Sequence, residues 1–541
     1  MIPGMTKPAP ASIIVPRTHG QVLIEPPLAE QARALDATPN FLMKNNPFGA
    51  DLAVLRRLAR EQFVQVAKAW AQEIHGAPLP ADALERRWVI TGHQVEFYHA
   101  GVWAKVIAAD ELVRRSRQPA IAFDLLVDHD VVDELGFEVP VQSPQTGDWS
   151  RIAVTFGEPP AGALPAESLP APAPAAFAEW DARLADFPTT HTDSLAFFLS
   201  TMRPSGGVPA SYTQWMSAAR ARFEASMDLR VHHVPTSLLC RTESWLTFVG
   251  AWLEHAPEMT ALYNAHLAHY RKSQGIRNPQ HPMPDLARAA DADGGTFELP
   301  FWIYQRGNSR QRLEVLHKNG RRSILLEGRE FDVTDGLTPV LAAGWMIRPR
   351  ALTLTMFTRQ FLADFFIHGI GGALYDQITD GLLEELFGNV PPYGCVSAAW
   401  LLPLGRGLSE RESLSVLRWR RHHAEHNPQQ LIDPFTALRT EVAELITARK
   451  SLLERTRESL ERSRKDPDER RERRRWFDEL HAINKQLHAK APRLLGELDR
   501  EIAEARRDRE QEKVLRWREY FFALHPGESL RQLVSTIRAS R

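Results

Sequence analysis

The sequence predicts an α/β protein with a parallel-sheet core and a C-terminal arm of antiparallel helices. Three observations carry this. An apolar run, Trp88–Ile90, meets a polar, glycine-bearing loop and then an alanine-rich amphipathic helix, Val102–Val113. Beyond Pro119, the apolar run Ala120–Val127 reads as a buried parallel strand, so 88–130 forms a β–α–β unit. Near the end, Leu438, Val442, Leu445, Leu452 and Thr456 step by threes and fours, as do Trp476, Leu480, Ile483, Leu487, Leu494, Leu498 and Ile502. Two long helices folded back as an antiparallel coiled-coil hairpin account for both series.

The remaining elements follow in order. Residues 1–50 are irregular and proline-containing, and Met1–Gly20 lacks the continuous apolar core of a signal peptide. Leu52, Leu55, Leu58, Phe63, Val66 and Trp70 predict a helix over 51–75. Glu158–Ala176, with Pro159, Pro160, Pro165, Pro170, Pro172 and Pro174, reads as a surface loop without regular structure. Helical patterns cover 175–265, with a further strand at His232–Leu239. Phe301–Tyr304, Arg312–Leu316 and Ser323–Leu326 are strand-like, and Asn319-Gly320 signals a hairpin turn. Asp466-Pro467-Asp468 separates the two helical series, and Pro492 predicts a kink or short break. The arginine-crowded tip, Arg462–Arg475, reads as a solvated, self-paired face, with a docking surface for an anionic partner as the alternative. The expected domains are an N-terminal segment packing on the core (1–85), the α/β core (86–430), the helical hairpin (431–519) and a tail returning to the core (520–541).

At 541 residues the chain has room for three or four units of ~150 residues. Lys+Arg 66 against Asp+Glu 67 gives no sign of a nucleic-acid partner or an anionic membrane surface. Two distant cysteines, Cys240 and Cys395, argue against a disulfide framework and fit a reducing cytosol. The longest apolar stretch, Ala351–Tyr375, is broken by Arg359, Asp364 and His368, so a soluble, cytoplasmic protein is expected.

Three constellations could carry chemistry. In the first, Thr91-Gly92-His93-Gln94 with His99 lies between strand and helix, where backbone N–H groups and the dipole favour an anion. It is neither a Walker loop nor a G-x-G-x-x-G fingerprint. The second is Asp128-His129-Asp130 at a strand's carboxyl end, able to bind an amine, hold a divalent cation or take a proton. In the third, Arg348 and Arg359 could clamp a carboxylate or phosphate, followed by His368 and the pair Gly371-Gly372. His422 and His426 sit four apart but lack a third ligand, so no metal site is expected.

In order and spacing these segments resemble the bacillithiol biosynthesis cysteine-adding enzyme family. The family's TGQQ loop, EDHD segment, RP segment and IGG element correspond to Thr91-Gly92-His93-Gln94, Asp128-His129-Asp130, Arg348-Pro349 and Ile370-Gly371-Gly372. Tyr520–Arg531, with Leu524-His525-Pro526, is similar to the family's tail. His93, Val127 and Ala373 replace the family's glutamine, glutamate and proline, which marks a divergent member.

The resemblance implies a Rossmann-like core related to nucleotidyltransferases and a coiled-coil arm. It also implies a ligase that condenses cysteine, or a related amino acid, with the amino group of glucosaminyl malate or a similar amino sugar. Amide formation from a free carboxylate is uphill, so ATP or ADP with magnesium is the expected cofactor. On this expectation His93, Thr91 and Gln94 cradle negative charge, Asp128, His129 and Asp130 serve the amine, and Arg348 or Arg359 orients a carboxylate. The competing expectation is a non-catalytic nucleotide- or metabolite-binding protein with a coiled-coil interaction arm. The apolar seam fits either a homodimer contact or a monomeric hairpin.

Overall fold

The computed structural model describes residues 13–37, 51–155, 157, 163–203, 211–291, 294–405, 413–432, 437–462, 464–490 and 492–540. The chain divides into two compact units: Met1–Val141, Arg151–Pro403 and Arg518–Arg541 form one, Gln142–Ser150 and Leu404–Trp517 the other.

The first unit is mixed α/β. Its main sheet runs Gln21–Glu25, Tyr393–Ala399, Phe365–His368, Arg87–Gln94, Ala120–Val127, Val231–Pro235. The first pair is antiparallel; every other pair is parallel. The chain therefore lays its first parallel strand in the middle, builds outward twice, then returns to the other side of that strand. A second, antiparallel sheet has the order Arg329–Asp332, Arg321–Leu326, Gln311–Lys318, Gly294–Gln305, Trp345–Pro349, with Arg288–Asp291 also on the fourth strand. The two sheets share one core: Ile90, Phe123 and Leu125 from the first cluster with Phe301, Ile303, Leu313 and Ile347 from the second. Trp245 and Trp252 are fully buried in that cluster.

Several expectations change. The strand beginning at Arg87 does not stop at Ile90 but runs to Gln94, because it pairs with 120–127 along its whole length, from Arg87↔Ala120 to Gln94↔Val127. The helix is longer than expected, Ala100–Arg115, and from Ala100 to Leu112 every residue but the partly exposed Val102 is buried, so it is not amphipathic. Helices Leu28–Asp36 and Gly527–Ala539 cover the side that would face water. Gly101 lies in its first turn, where a Cβ would come 2.6 Å from the Ala398 carbonyl oxygen; only glycine fits. The strand expected at 232–239 ends at Pro235 and gives way to one helical turn, Thr236–Leu239.

The N-terminal 50 residues are not all irregular: Gln21–Glu25 is an edge strand and Leu28–Asp36 a helix, while 1–12 and 38–50 lie outside the described residues. Asp51 caps the helix Leu52–Glu73, accepting from Ala53 N and Val54 N. Within 158–176, Ala166–Ser168 forms a 3-10 turn and a helix starts at Pro174; 158–162 lie outside the described residues. Asn319 (φ 51°) and Gly320 (φ 74°) make the expected tight turn, both with the positive φ of a type I′ hairpin. Cys240 and Cys395 are free and buried.

Among the described residues the second unit holds four long helices, Leu414–His426, Thr440–Arg462, Pro467–Lys490 and Pro492–Leu515, where two were expected. Pro492 opens a new helix, the first position a proline accepts without losing a hydrogen bond. Thr440–Arg462 and Pro467–Lys490 fold back on each other: Val442 meets Leu487 at one end, and Ser459 donates to Glu469 at the other. Leu498 and Ile502 belong to a different pairing, in which Ile502 and Ala505 pack on Leu417. The unit thus includes residues ahead of 431. Leu438 precedes its helix and is exposed, and the side chain of Leu494 lies outside the described residues. At the tip, Arg462 pairs with Glu469, Arg471 with Asp468 and Arg475 with Glu472. Among the described residues no helix is long and apolar enough to cross a membrane.

Candidate functional site

In an open sheet of this kind, ligands gather outside the carboxyl ends of the parallel strands, where the strand order reverses. That place lies between Arg87–Gln94 and Phe365–His368. Two helices begin at this edge, Ala100–Arg115 and Ile370–Phe387. His99 caps the first, its Nδ1 accepting from the Gly101 N–H at 3.0 Å. The second starts after Gly369 with no side-chain cap, and Gly371 and Gly372 are exposed. Its first N–H groups and the positive end of its dipole are therefore open to a ligand.

Thr91 to Gln94 are strand residues, and most of their polar groups are committed to the protein. The Thr91 hydroxyl donates to the Ile367 carbonyl at 2.9 Å, joining the two strands at the switch point. The Gly92 carbonyl accepts from Lys105 Nζ at 2.6 Å. Gln94 Nε2 donates to Asp130 Oδ2 at 3.1 Å. His93 keeps a face toward solvent. Its Nε2 lies 3.0 Å from Glu96 and its ring meets Tyr98 edge-on. Burial lowers its pKa; the Glu96 carboxylate opposes this but does not overcome burial plus the Lys105 and Arg220 cations. His99 is pushed further, to about 3, by burial and then Arg518.

Asp128-His129-Asp130 does follow the strand Ala120–Val127, but only Asp130 faces the crevice. Asp128 is sealed: Ser237 N–H donates to Oδ1 at 2.8 Å, Ser237 Oγ to Oδ2 at 2.5 Å and Thr236 Oγ1 to Oδ1 at 3.1 Å. Burial and the nearby Glu167 raise it to about 6. His129 Nδ1 is 2.7 Å from Thr236 Oγ1, and burial lowers that imidazole to about 4. These two tie one strand end to the next and have no open side for an amine. Asp130 is half-buried between Gln94 and Arg310, whose guanidinium is 2.6 Å away. Burial would raise Asp130, but Arg310 holds it below the ordinary carboxylate range.

The arginines are likewise turned inward. Arg348 makes a two-point pair with Glu167, 2.8 Å at both nitrogens, and Tyr304 also donates to that carboxylate. Arg359, fully buried, pairs with Asp376 and with Asp380 at 2.8 Å. His368 Nε2 reaches the same Asp376 at 2.7 Å. In this arrangement both arginines hold protein carboxylates, correcting the expectation that either clamps a ligand. The Arg359–Asp376–His368 chain instead fixes the strand end and the helix start that carry Gly371 and Gly372.

No family model matches the chain, and no curated protein matches it.

Sequence reasoning missed a buried charge network on the same face of the sheet. Asp124 and His233 are register neighbours on adjacent strands. His233 lies 3.2 Å from Asp124 and 2.9 Å from Glu224. Burial disfavours its charge, but the two carboxylates raise it to about 9. Arg220 stacks over Tyr98 and donates to the Glu96 carbonyl at 2.6 Å. Lys105, 4% exposed, completes the set, and burial lowers it to about 8. The signals are single charges inside apolar runs: Asp124 within Ala120–Val127 and Lys105 within Val102–Ala109.

Proposed function

We propose that the chain is a carbon–nitrogen ligase of the bacillithiol cysteine-adding type, using the switch-point crevice to bind an oxyanion. Its substrates would be cysteine, or a related amino acid, and the amino group of glucosaminyl malate or a similar amino sugar. The observation that carries this is the uncapped start of Ile370–Phe387, with exposed Gly371-Gly372, beside the strand end bearing His93 and Gln94. A central first strand flanked on both sides supports a Rossmann-like core of the nucleotidyltransferase kind. The hairpin Thr440–Lys490 supports a coiled-coil arm.

A nucleotide, ATP or ADP with magnesium, would supply carboxylate activation. Exposed glycine N–H groups and the Lys105 ammonium fit its phosphates. Among the described residues no cluster of three or more metal-ligating side chains is present, so magnesium would be held largely through those phosphates. His93 is uncharged at neutral pH and oriented by Glu96, the pairing of a general base with its carboxylate partner. His93 would take the proton the amine loses as its nitrogen attacks the activated carboxyl carbon, while the activating phosphate leaves with the electron pair of the broken C–O bond. Asp130 would hold the amine.

End-point mass spectrometry on folded protein with cysteine and glucosaminyl malate tests this. The expected result is a cysteinyl adduct that requires ATP and magnesium, with a rate falling by roughly 10²–10⁴ in His93→Ala. A second reading, binding without catalysis, draws on the sealing of Asp128, His129 and Arg348. ADP binding with no adduct from any amine would select it.

A further inference from the structure

Lys105 is buried, yet among the described residues its ammonium has a single hydrogen-bond partner, the Gly92 carbonyl at 2.6 Å. No carboxylate among the described residues comes within ion-pair distance of Nζ. The nearest negative groups, Asp124 and Glu96, act from farther off and are engaged by His233 and His93. A buried cation left in this state is strongly unfavourable unless something compensates it. Lys105 also lies where a ligand would be met: its Cδ is 3.7 Å from the Cβ position of Gly369, the residue that opens the uncapped helix Ile370–Phe387.

We propose that Lys105 is the anchoring cation of the switch-point crevice, donating to a phosphate group whose remaining oxygens take the N–H groups of Ile370–Gly372. The inference rests on the oxyanion reading of the crevice and adds the residue that anchors the phosphate and the dependence of binding on it. It also explains why the fold carries the charge: the free protein tolerates a desolvated ammonium that the ligand neutralises. The groups facing Lys105 are Asp124 from the strand Ala120–Val127, Arg220 from the helix Tyr212–Ser226, Cys395 from Tyr393–Ala399, and His93, Glu96 and His99 from Arg87–Gln94 and the turn after it. Burial holds the ammonium at about 8, so binding should weaken as pH rises past that value.

Titration calorimetry of the full chain with inorganic pyrophosphate, and in parallel with malate, tests this in wild type and Lys105→Met. Pyrophosphate should bind wild type and lose roughly a hundredfold in affinity in the variant. The melting temperature of Lys105→Met should equal or exceed that of wild type, because an apolar chain replaces a desolvated charge. Pyrophosphate that binds both proteins alike, or fails to bind wild type, overturns the proposal. So does lost binding with a lowered melting temperature, which would make Lys105 a prop for the strand end. Malate bound through Lys105 in place of pyrophosphate would overturn the phosphate assignment. Missing adduct with intact, Lys105-dependent binding refutes the ligase reading alone.

Discussion

Glu167→Ala is expected to destabilise the protein by about 3–5 kcal/mol, because it leaves Arg348 charged and unpaired in the core. The pair is among the most enclosed in the molecule, with the two side chains 1% and 7% exposed. Burial alone lowers the Arg348 pKa and the Glu167 carboxylate more than reverses that; without the carboxylate the guanidinium, too basic to shed its proton, stays charged in the core. Glu167 also positions the candidate site. Its backbone N–H donates to the Asp128 carbonyl at 2.6 Å and that of Ala166 to the Asp130 carbonyl at 2.9 Å. Its turn thus holds the strand end that presents Asp130. Chemical denaturation of Glu167→Ala should show the loss, and ligand affinity should fall with it. The double variant Glu167→Leu with Arg348→Met should recover most of the stability, since a buried ion pair and a well-packed apolar pair differ little. A single variant as stable as wild type would show that the pair contributes nothing.

The second large effect is a fall in stability with rising pH, traced to His233. Its folded pKa of about 9 lies above the ordinary 6.5, so its contribution is fully present below pH 6.5 and lost as pH rises through 9. A shift of that size corresponds to about 3 kcal/mol, more than half of it gone by pH 8. Lys105 works the other way: its folded value lies below its ordinary 10.5, so stability recovers above about pH 8. The predicted curve therefore declines from pH 6.5 to 8 and then flattens. Urea denaturation across pH 6–9 reads it directly, and His233→Gln should remove most of the decline. An equally steep decline in the variant would place the titration elsewhere.

The β–α–β core was legible because Trp88–Ile90 and Ala120–Val127 are apolar runs, broken by Pro119, of the length a buried strand needs. The extent of the first strand was not, since Thr91-Gly92-His93-Gln94 reads as a loop by composition. Pairing with 120–127 overrides that local preference. The edge strand Gln21–Glu25 was hidden because its place is set by Tyr393–Ala399, hundreds of residues away. At the site, position was easier to read than role. Asp128 and Arg348 lie at strand ends, as their spacing implied. Their inward pairing with Ser237 and Glu167 depends on partners that no local pattern reveals. Lys105 is hard to read from the sequence because its helix reads as amphipathic, whereas Leu28–Asp36 and Gly527–Ala539 cover the side that would face water.

The helical unit offers a rival location for an anionic ligand. A cavity of about 370 Å³ lies between Leu414–His426 and Pro492–Leu515, lined by Arg418, Arg421, Arg506, Glu425 and Asp499 among others. Arg421 is already held by Asp499 and Glu425, at 2.7 Å each. Hydrogen–deuterium exchange with and without ADP and magnesium separates the two places and tests the central claim most directly. Ligand should slow exchange at 92–102 and 368–376, where the uncapped helix, His93 and the Lys105 contact lie. Protection confined to 414–426 and 492–515, with the switch point unchanged, would contradict the account.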